Sequence, residues 1–152
     1  MTNKNDTQEP QFQIHKLYIK DVTFQVPEGI LAFQNEWNPN LSVDLDYSTN
    51  NLPEKDSYEV ILKIKTKVES GDKAIFNVEV HQAGIFTVSN IEKSQLEHAL
   101  GSYCPNILYP YAREVISDII MKGGFPQLCL APINFDLLYQ KKLEEKNKTA
   151  TA

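Results

Sequence analysis

The feature that most constrains this chain is an apolar ladder in its last third. Ile107, Leu108, Tyr111, Ala112, Val115, Ile116, Ile119 and Ile120 recur at helical spacing. At 100° per residue they span an arc of roughly 220°, whereas a surface helix shows an apolar stripe of about 100° or somewhat more. Such a helix needs cover on more than one side. A sheet supplies one cover. The other falls to a second subunit or to the chain's own loops. Just upstream, Leu96, Ala99, Leu100 and Tyr103 predict an earlier helix, and Pro105 should break it or start a new turn.

Before residue 90 the period changes to two, the spacing of a half-buried strand. Phe12, Ile14, Tyr18, Val22, Phe24 and Val26 share one parity, with Leu17 and Ile19 breaking the polar face. Leu41, Val43, Leu45 and Tyr47 alternate with Ser42, Asp44, Asp46 and Ser48. Tyr58, Val60, Leu62, Ile64, Thr66 and Val68 form the clearest strand, and "SGDK" turns it into a hairpin. On the return strand Phe76, Val78 and Val80 share one face, while Asn77, Glu79, His81 and Ile75 share the other. "EGILAFQNEWNPN" has no clean period and reads as a long crossing loop anchored by Leu31, Phe33 and Trp37.

Four strands followed by two helices predict an α+β fold. The expected form is a four-stranded antiparallel sheet with two C-terminal helices packed on one face, the other face being wet. Asn134 is placed to cap the final helix, whose narrow apolar face is Phe135, Leu138, Tyr139 and Leu143. The charged tail beyond should fray. Residues 12–143 are expected to form a single domain, between disordered tails at 1–11 and 144–152.

Length and charge narrow the function. A chain of 152 residues is long enough to bury a core without disulfides or metal. A net charge of −5 argues against nucleic acid, whose phosphates need a basic patch. "MTNKNDTQEPQFQ" lacks the apolar core of a secretory signal, and no run approaches the roughly 18 apolar residues of a membrane span. The expected place is the cytoplasm, without stable membrane insertion. Cys104 and Cys129 then read as reduced thiols.

Catalytic motifs are missing. There is no phosphate loop and no GxGxxG after a strand. His15, His81 and His98 lack metal-ligand spacing, and the two cysteines lack a CxxC. Asp44 and Asp46 alternate with core residues, as a solvated strand face does. No enzyme, no metal and no cofactor are expected. What remains is apolar surface. "GGFPQLCLAP" (123–132) is built like a loop by its Gly and Pro but carries Phe125, Leu128, Cys129 and Leu130. Together with Phe33 and Trp37 it could wall an apolar groove for ligands or peptides. It could equally close over the chain's own core.

Several stretches carry a family resemblance. "GSYCPNILYPYARE" (101–114) and "GGFPQLCLAPINFDLLY" (123–139) closely resemble the SecB protein-export chaperones. So do "FQIHKLYIKDVTF" (12–24), "VEVHQAGIF" (78–86) and the W-x-P of "NEWNPN". The resemblance implies an ATP-independent cytosolic holdase that binds unfolded precursor proteins and passes them to the SecA translocation motor. It implies a homotetramer, a dimer of dimers with helices sandwiched between sheets. A client groove then includes Phe33, Trp37, Phe125, Leu128, Leu130 and Leu138. The tetramer interface falls on Phe76, Val78, Val80 and Gln82, joined by Tyr111, Val115, Ile116 and Ile119 of the ladder. The acidic motor-binding face falls on Asp21 and Glu79. Two positions of that face depart from the family pattern, Gln25 where an acid is expected and Asn77 where an apolar residue is expected. A general holdase or toxin–antitoxin partner chaperone on the same fold is the alternative.

Overall fold

The computed structural model describes residues 9–34 and 38–151, of which 149–151 are described by backbone alone. Its strands are β1 (Gln11–Gln25), β2 (Asn40–Asn51), β3 (Ser57–Ser70) and β4 (Lys73–Ser89). They form one antiparallel sheet in the order β1-β4-β3-β2. The consecutive strands β1 and β2 therefore occupy opposite edges. Their connection must cross the sheet, which explains its length and its apolar anchors. It contains a 3₁₀ turn at Gly29–Phe33. The helical half follows: α1 (Lys93–His98), a π-turn (Ala99–Tyr103), α2 (Cys104–Lys122) and α3 (Phe135–Thr151).

The helices lie on one face, as the alternation predicts. Val60, Leu62, Ile64 and Val68 of β3 and Phe76, Val78, Val80 and Phe86 of β4 are fully buried against Leu108, Ala112, Ile116 and Ile120 of α2. Pro105 does not end the helical run. It sits in the first turn of α2, where its missing N–H has no partner to lose. At the other end Gly123 and Gly124 stop α2 in a Schellman motif: Phe125 N–H bonds Ile120 O, Gly124 N–H bonds Met121 O, and Gly124 takes φ +92°. Asn134 caps α3 through its Oδ1, which accepts from Leu137 N–H at 3.1 Å. The helix then continues through 144–151, a stretch expected to be disordered, because that stretch has neither Gly nor Pro to stop it.

Strand β1 departs from a single parity. Register shifts between Ile14 and Lys16, and between Ile19 and Asp21, mark two bulges. Each adds one residue and so flips the alternation. Phe12, Ile14, Leu17, Ile19, Val22 and Phe24 thereby pair with helix-face residues of β4, while Tyr18 moves to the outer face. A third shift in the β3–β4 ladder leaves Ile75 without a cross-strand partner, and it is buried in the core rather than facing outward.

Tyr18 has a function on that outer face. Its hydroxyl donates to Glu59 of β3, a carboxylate that also accepts from Lys20 (3.1 Å) and from Asn50 of β2 (3.0 Å). One buried acid thus ties three strands across the sheet. The Tyr18 hydrogen bond is the main cause that holds the Glu59 carboxyl below its usual range, against the opposing effect of burial. Burial and the same contact push Tyr18 up to about 12. A depressed carboxyl contributes stability that is present above its unfolded pKa and lost as pH falls through the folded value. Glu59→Gln should therefore destabilise the protein by about 1 kcal/mol at pH 7. Urea midpoints of the two proteins should converge as pH falls below the ordinary carboxylate range; a gap that stays constant with pH would contradict this role.

Candidate functional site

Phe125, Leu128 and Leu130 of the greasy connector fold inward, while Cys129 stays exposed. Phe125 is only 6% exposed, its ring 4.7 Å from Phe76. Leu130 is buried and Leu128 and Leu138 are half-buried against the core. The connector is pinned along α2 by Tyr109 Oη donating to Ala131 O and by Gln127 Nε2 donating to Ser117 Oγ at 3.1 Å. This settles part of the question the wide arc raised, because the Tyr109 side of α2 is covered by the chain itself. The opposite flank is not: Ile107 and Val115 are half-buried and Tyr111 is 50% exposed.

A second apolar region stays open at the Phe125 end of the sheet. Leu41 of β2, Val68 of β3 and Phe76 of β4 form one cross-strand row. Phe125 packs on Phe76, and Phe33 stacks on Phe125 with centroids 4.9 Å apart. The outer members of this chain of contacts are exposed: Phe33 by 53%, Leu41 by 43%, and its neighbour Val43 by 39%. Leu41 and Val43 were expected to face inward. They do point to the helix-bearing face, but no helix reaches over them. Trp37, the remaining groove position, lies outside the described residues.

The expected interface residues divide by depth. Phe76, Val78, Val80 and Ile116 are fully buried within this single chain, and Ile119 is half-buried. Gln82 is also buried. Its Nε2 donates to Tyr18 O at 3.2 Å, while its Oε1 finds no hydrogen-bond donor among the described residues. An orphaned buried acceptor of this kind costs stability until a donor reaches it.

The outer face carries Asp21, Thr23 and Gln25 of β1 opposite His81, Glu79 and Asn77 of β4. Glu79 is not a free acid. His81 Nε2 lies 2.7 Å from its Oε2 and Lys65 Nζ 4.0 Å from its Oε1. The His81 hydrogen bond is the main cause that holds the Glu79 carboxyl below its usual range. Lys63 and Lys65 stand opposite Asp46 and Asp44 of β2 in register, and Lys67 opposite Ser42, so acids and bases are interleaved across this face.

One cluster brings Ser, His and Asp together at the α1–α3 junction. His98 Nε2 lies 2.8 Å from Asp136 Oδ1, and Ser102 Oγ donates to that same oxygen. Both groups bond the carboxylate rather than each other, so His98 is not aimed at the serine hydroxyl, as the base of a Ser-His-Asp triad is. The grouping instead anchors α3, with Tyr139 packed over Gly101, where a Cβ would come within 2.5 Å of its ring. Cys104 is fully buried, and burial pushes its thiol up to about 12. Among the described residues no three His, Cys, Asp or Glu side chains gather as a metal site, and no helix is long and apolar enough to cross a membrane.

Among the described residues an apolar strip lies open beside a sheet edge that pairs with no further strand, the layout of a binding scaffold. Comparisons with known proteins identify which one. The family model described as preprotein translocase subunit SecB matches residues 5–146. The protein-export protein SecB 1 of Francisella tularensis subsp. novicida is 50% identical over 137 residues, covering 90% of this chain and 92% of the relative. The SecB 2 protein of Francisella tularensis subsp. tularensis matches to the same extent. A SecB-like chaperone of Mycobacterium tuberculosis, solved with a peptide from an antitoxin, shares the fold at TM-score 0.64 and 15% identity, over 80% of this chain and 90% of that one. The chain belongs to the SecB family of protein-export chaperones.

The two phenylalanines that stack on each other should behave differently on truncation. Phe125→Ala removes a core side chain and should cost about 3–5 kcal/mol. Phe33→Ala removes an exposed one and should cost under about 1 kcal/mol. Chemical denaturation checks both; equal costs would place the two residues in one layer.

Proposed function

We propose that this chain is an ATP-independent holdase of the cytoplasm. It binds unfolded precursor proteins in an apolar groove, keeps them competent for translocation and passes them to the SecA motor. The observation that carries the reading is the exposed Leu41 and Val43 of β2, an edge strand paired only with β3 among the described residues, with the exposed Phe33 stacked on Phe125 at the same end of the sheet. An extended client segment can add to such an edge by backbone hydrogen bonds, which every sequence offers, while alternate side chains rest on the apolar strip. Leu128 and Leu138, half-buried against the core, and Trp37 belong to the groove by family resemblance. Phe125 and Leu130 support it from beneath. Binding the unfolded state draws clients away from folding by mass action, without nucleotide. No metal, cofactor or nucleic acid takes part.

The working form in this proposal is a homotetramer, a dimer of dimers with helices between sheets. Supporting it are the uncovered α2 flank at Ile107, Tyr111 and Val115, the exposed Ile19 and Val22 on the helix-bearing face of β1, and the missing donor at Gln82 Oε1. Several grooves on one assembly would multiply weak contacts into avidity. Ile116 is fully buried under the chain's own sheet, so charging it would break the protomer. Tyr111 and Val115 are the informative positions.

The motor is proposed to meet the outer sheet face at Asp21 and Glu79, with Gln25 and Asn77 beside them. A general holdase, or a toxin–antitoxin partner chaperone, is the second reading. The observation favouring it is the paired state of an acid on this face: Glu79 is held by His81 and Lys65, and Gln25 and Asn77 add no charge.

Three outcomes test these readings. The purified protein should slow refolding of a slow-folding precursor at near-stoichiometric ratio without ATP, and unaffected refolding across several clients would sink the holdase reading. Asp21→Lys with Glu79→Lys should weaken SecA binding at least tenfold in a titration; unchanged affinity would favour the second reading. Tyr111→Asp with Val115→Asp should lower the mass measured by light scattering while the helical signal persists, and a tetramer surviving both charges would place the interface elsewhere.

A further inference from the structure

Tyr47 sits in the middle of β2, and side chains occupy both of its backbone groups. Its N–H donates to Asp46 Oδ1 at 2.9 Å, and its carbonyl accepts from Lys142 Nζ of α3 at 3.4 Å. The same ammonium pairs with Asp46 Oδ1 at 2.7 Å and lies 3.7 Å from the centre of the Tyr47 ring. Burial pushes the Asp46 carboxyl up, but hydrogen bonds from Lys142 and from Tyr47 N–H outweigh it and hold the group below its usual range.

In an antiparallel strand alternate residues turn N–H and C=O away from the partner strand. Tyr47 is one of these on β2. By the period of two, Leu41, Val43, Leu45, Thr49 and Asn51 are the others, and the side chains of the first three share the helix-bearing face. An added strand must find a free donor and a free acceptor at each. At Tyr47 a carboxylate already stands where the newcomer's carbonyl would go, and an ammonium stands where its N–H would go. Lys142 also wraps the edge bodily, between the ring on one face and the carboxylate of Asp46, a residue of the other.

We propose that Lys142 and Asp46 cap the open edge of β2 at Tyr47, so that an extended client segment pairs with the Leu41–Leu45 half and stops there. The cap sets the register and length of the bound segment, and it makes α3 part of the binding site rather than a bystander. This rests on the client-groove reading above. The ion pair is exposed, so the cap is weak and salt-sensitive. It biases where the client lies more than whether it binds.

The test is hydrogen exchange on the full-length protein with reduced, carboxamidomethylated lactalbumin as a permanently unfolded client. In the unaltered protein the client should slow exchange at Leu41, Val43 and Leu45 and leave Tyr47 and Thr49 unchanged. In Lys142→Ala, and independently in Asp46→Asn, protection should extend through Tyr47 and Thr49, with binding tightened about threefold. Lys142→Arg should restore the short footprint. An unchanged helical signal shows that α3 stays folded in each variant. A footprint running through Thr49 in the unaltered protein, or one that neither variant lengthens, overturns the cap. Client binding with no footprint anywhere on β2 overturns the cap together with the edge-pairing part of the groove reading; absence of client binding overturns the groove reading itself.

Discussion

Everything in this protein hangs on the seam between α2 and the middle of the sheet. Leu108, Ala112, Ile116 and Ile120 press on the inward side chains of β3 and β4, and all of them are fully buried. Each large aliphatic removed from water contributes about 1.5–3 kcal/mol, so no other set of contacts approaches this one. The seam fixes which face of the sheet is dry. It also fixes where α2 ends, and from there the Schellman motif at Gly123–Gly124 throws the connector back along the helix. Phe125 reaches Phe76 as a result. Once the seam is placed, the strip at Leu41 and Val43 is left over: one helix cannot span the width of the sheet, and α3 docks at the opposite end, on Ser102, His98 and Tyr47.

The two faces of the sheet meet different demands. The helix-bearing face keeps apolar surface open at both edges, β1 and β2. The outer face carries many charges, and several of them are already paired. Glu59 gathers Tyr18, Lys20 and Asn50, Glu79 is bracketed by His81 and Lys65, and the lysines of β3 lie beside the aspartates of β2. A partner docking here would have to exchange existing pairs for new ones. Such an exchange favours specificity and tunable affinity over strength.

Much of the layout was legible in the chain. Alternation placed β2, β3 and β4, the helical ladder placed α2, and Asn134 marked the start of α3. The misreadings have identifiable physical causes. Tyr18 and Leu17 were assigned to the wrong faces because a strand was assumed to keep one parity. The apolar residues of β1 in fact stand at 12, 14, 17, 19, 22 and 24, and the repeated step of three is the mark of bulges. Ile75 was misplaced for the same reason, one shift in the ladder. Leu41 and Val43 illustrate a deeper limit, since alternation tells which face a side chain takes but not whether anything lies over it. Phe125 and Leu130 illustrate its counterpart: a greasy loop can line a groove or plug a core with the same composition, and only its return path along α2 separates the two. The pairing of Lys142 with Asp46 spans 96 positions and leaves no trace in local pattern.

The bulges of β1 bear on how this strand can change over evolutionary time. His15 and Lys20 are surplus to the ladder, which reads Ile14 then Lys16, and Ile19 then Asp21, against consecutive partners on β4. Losing either residue would straighten the strand locally and leave every other side chain on its present face. Losing a neighbour such as Leu17 would instead turn a whole run of side chains over. Length variation among descendants of this sequence should therefore be absorbed first at His15, like a spare link in a chain, because losing Lys20 would also cost Glu59 its ion pair.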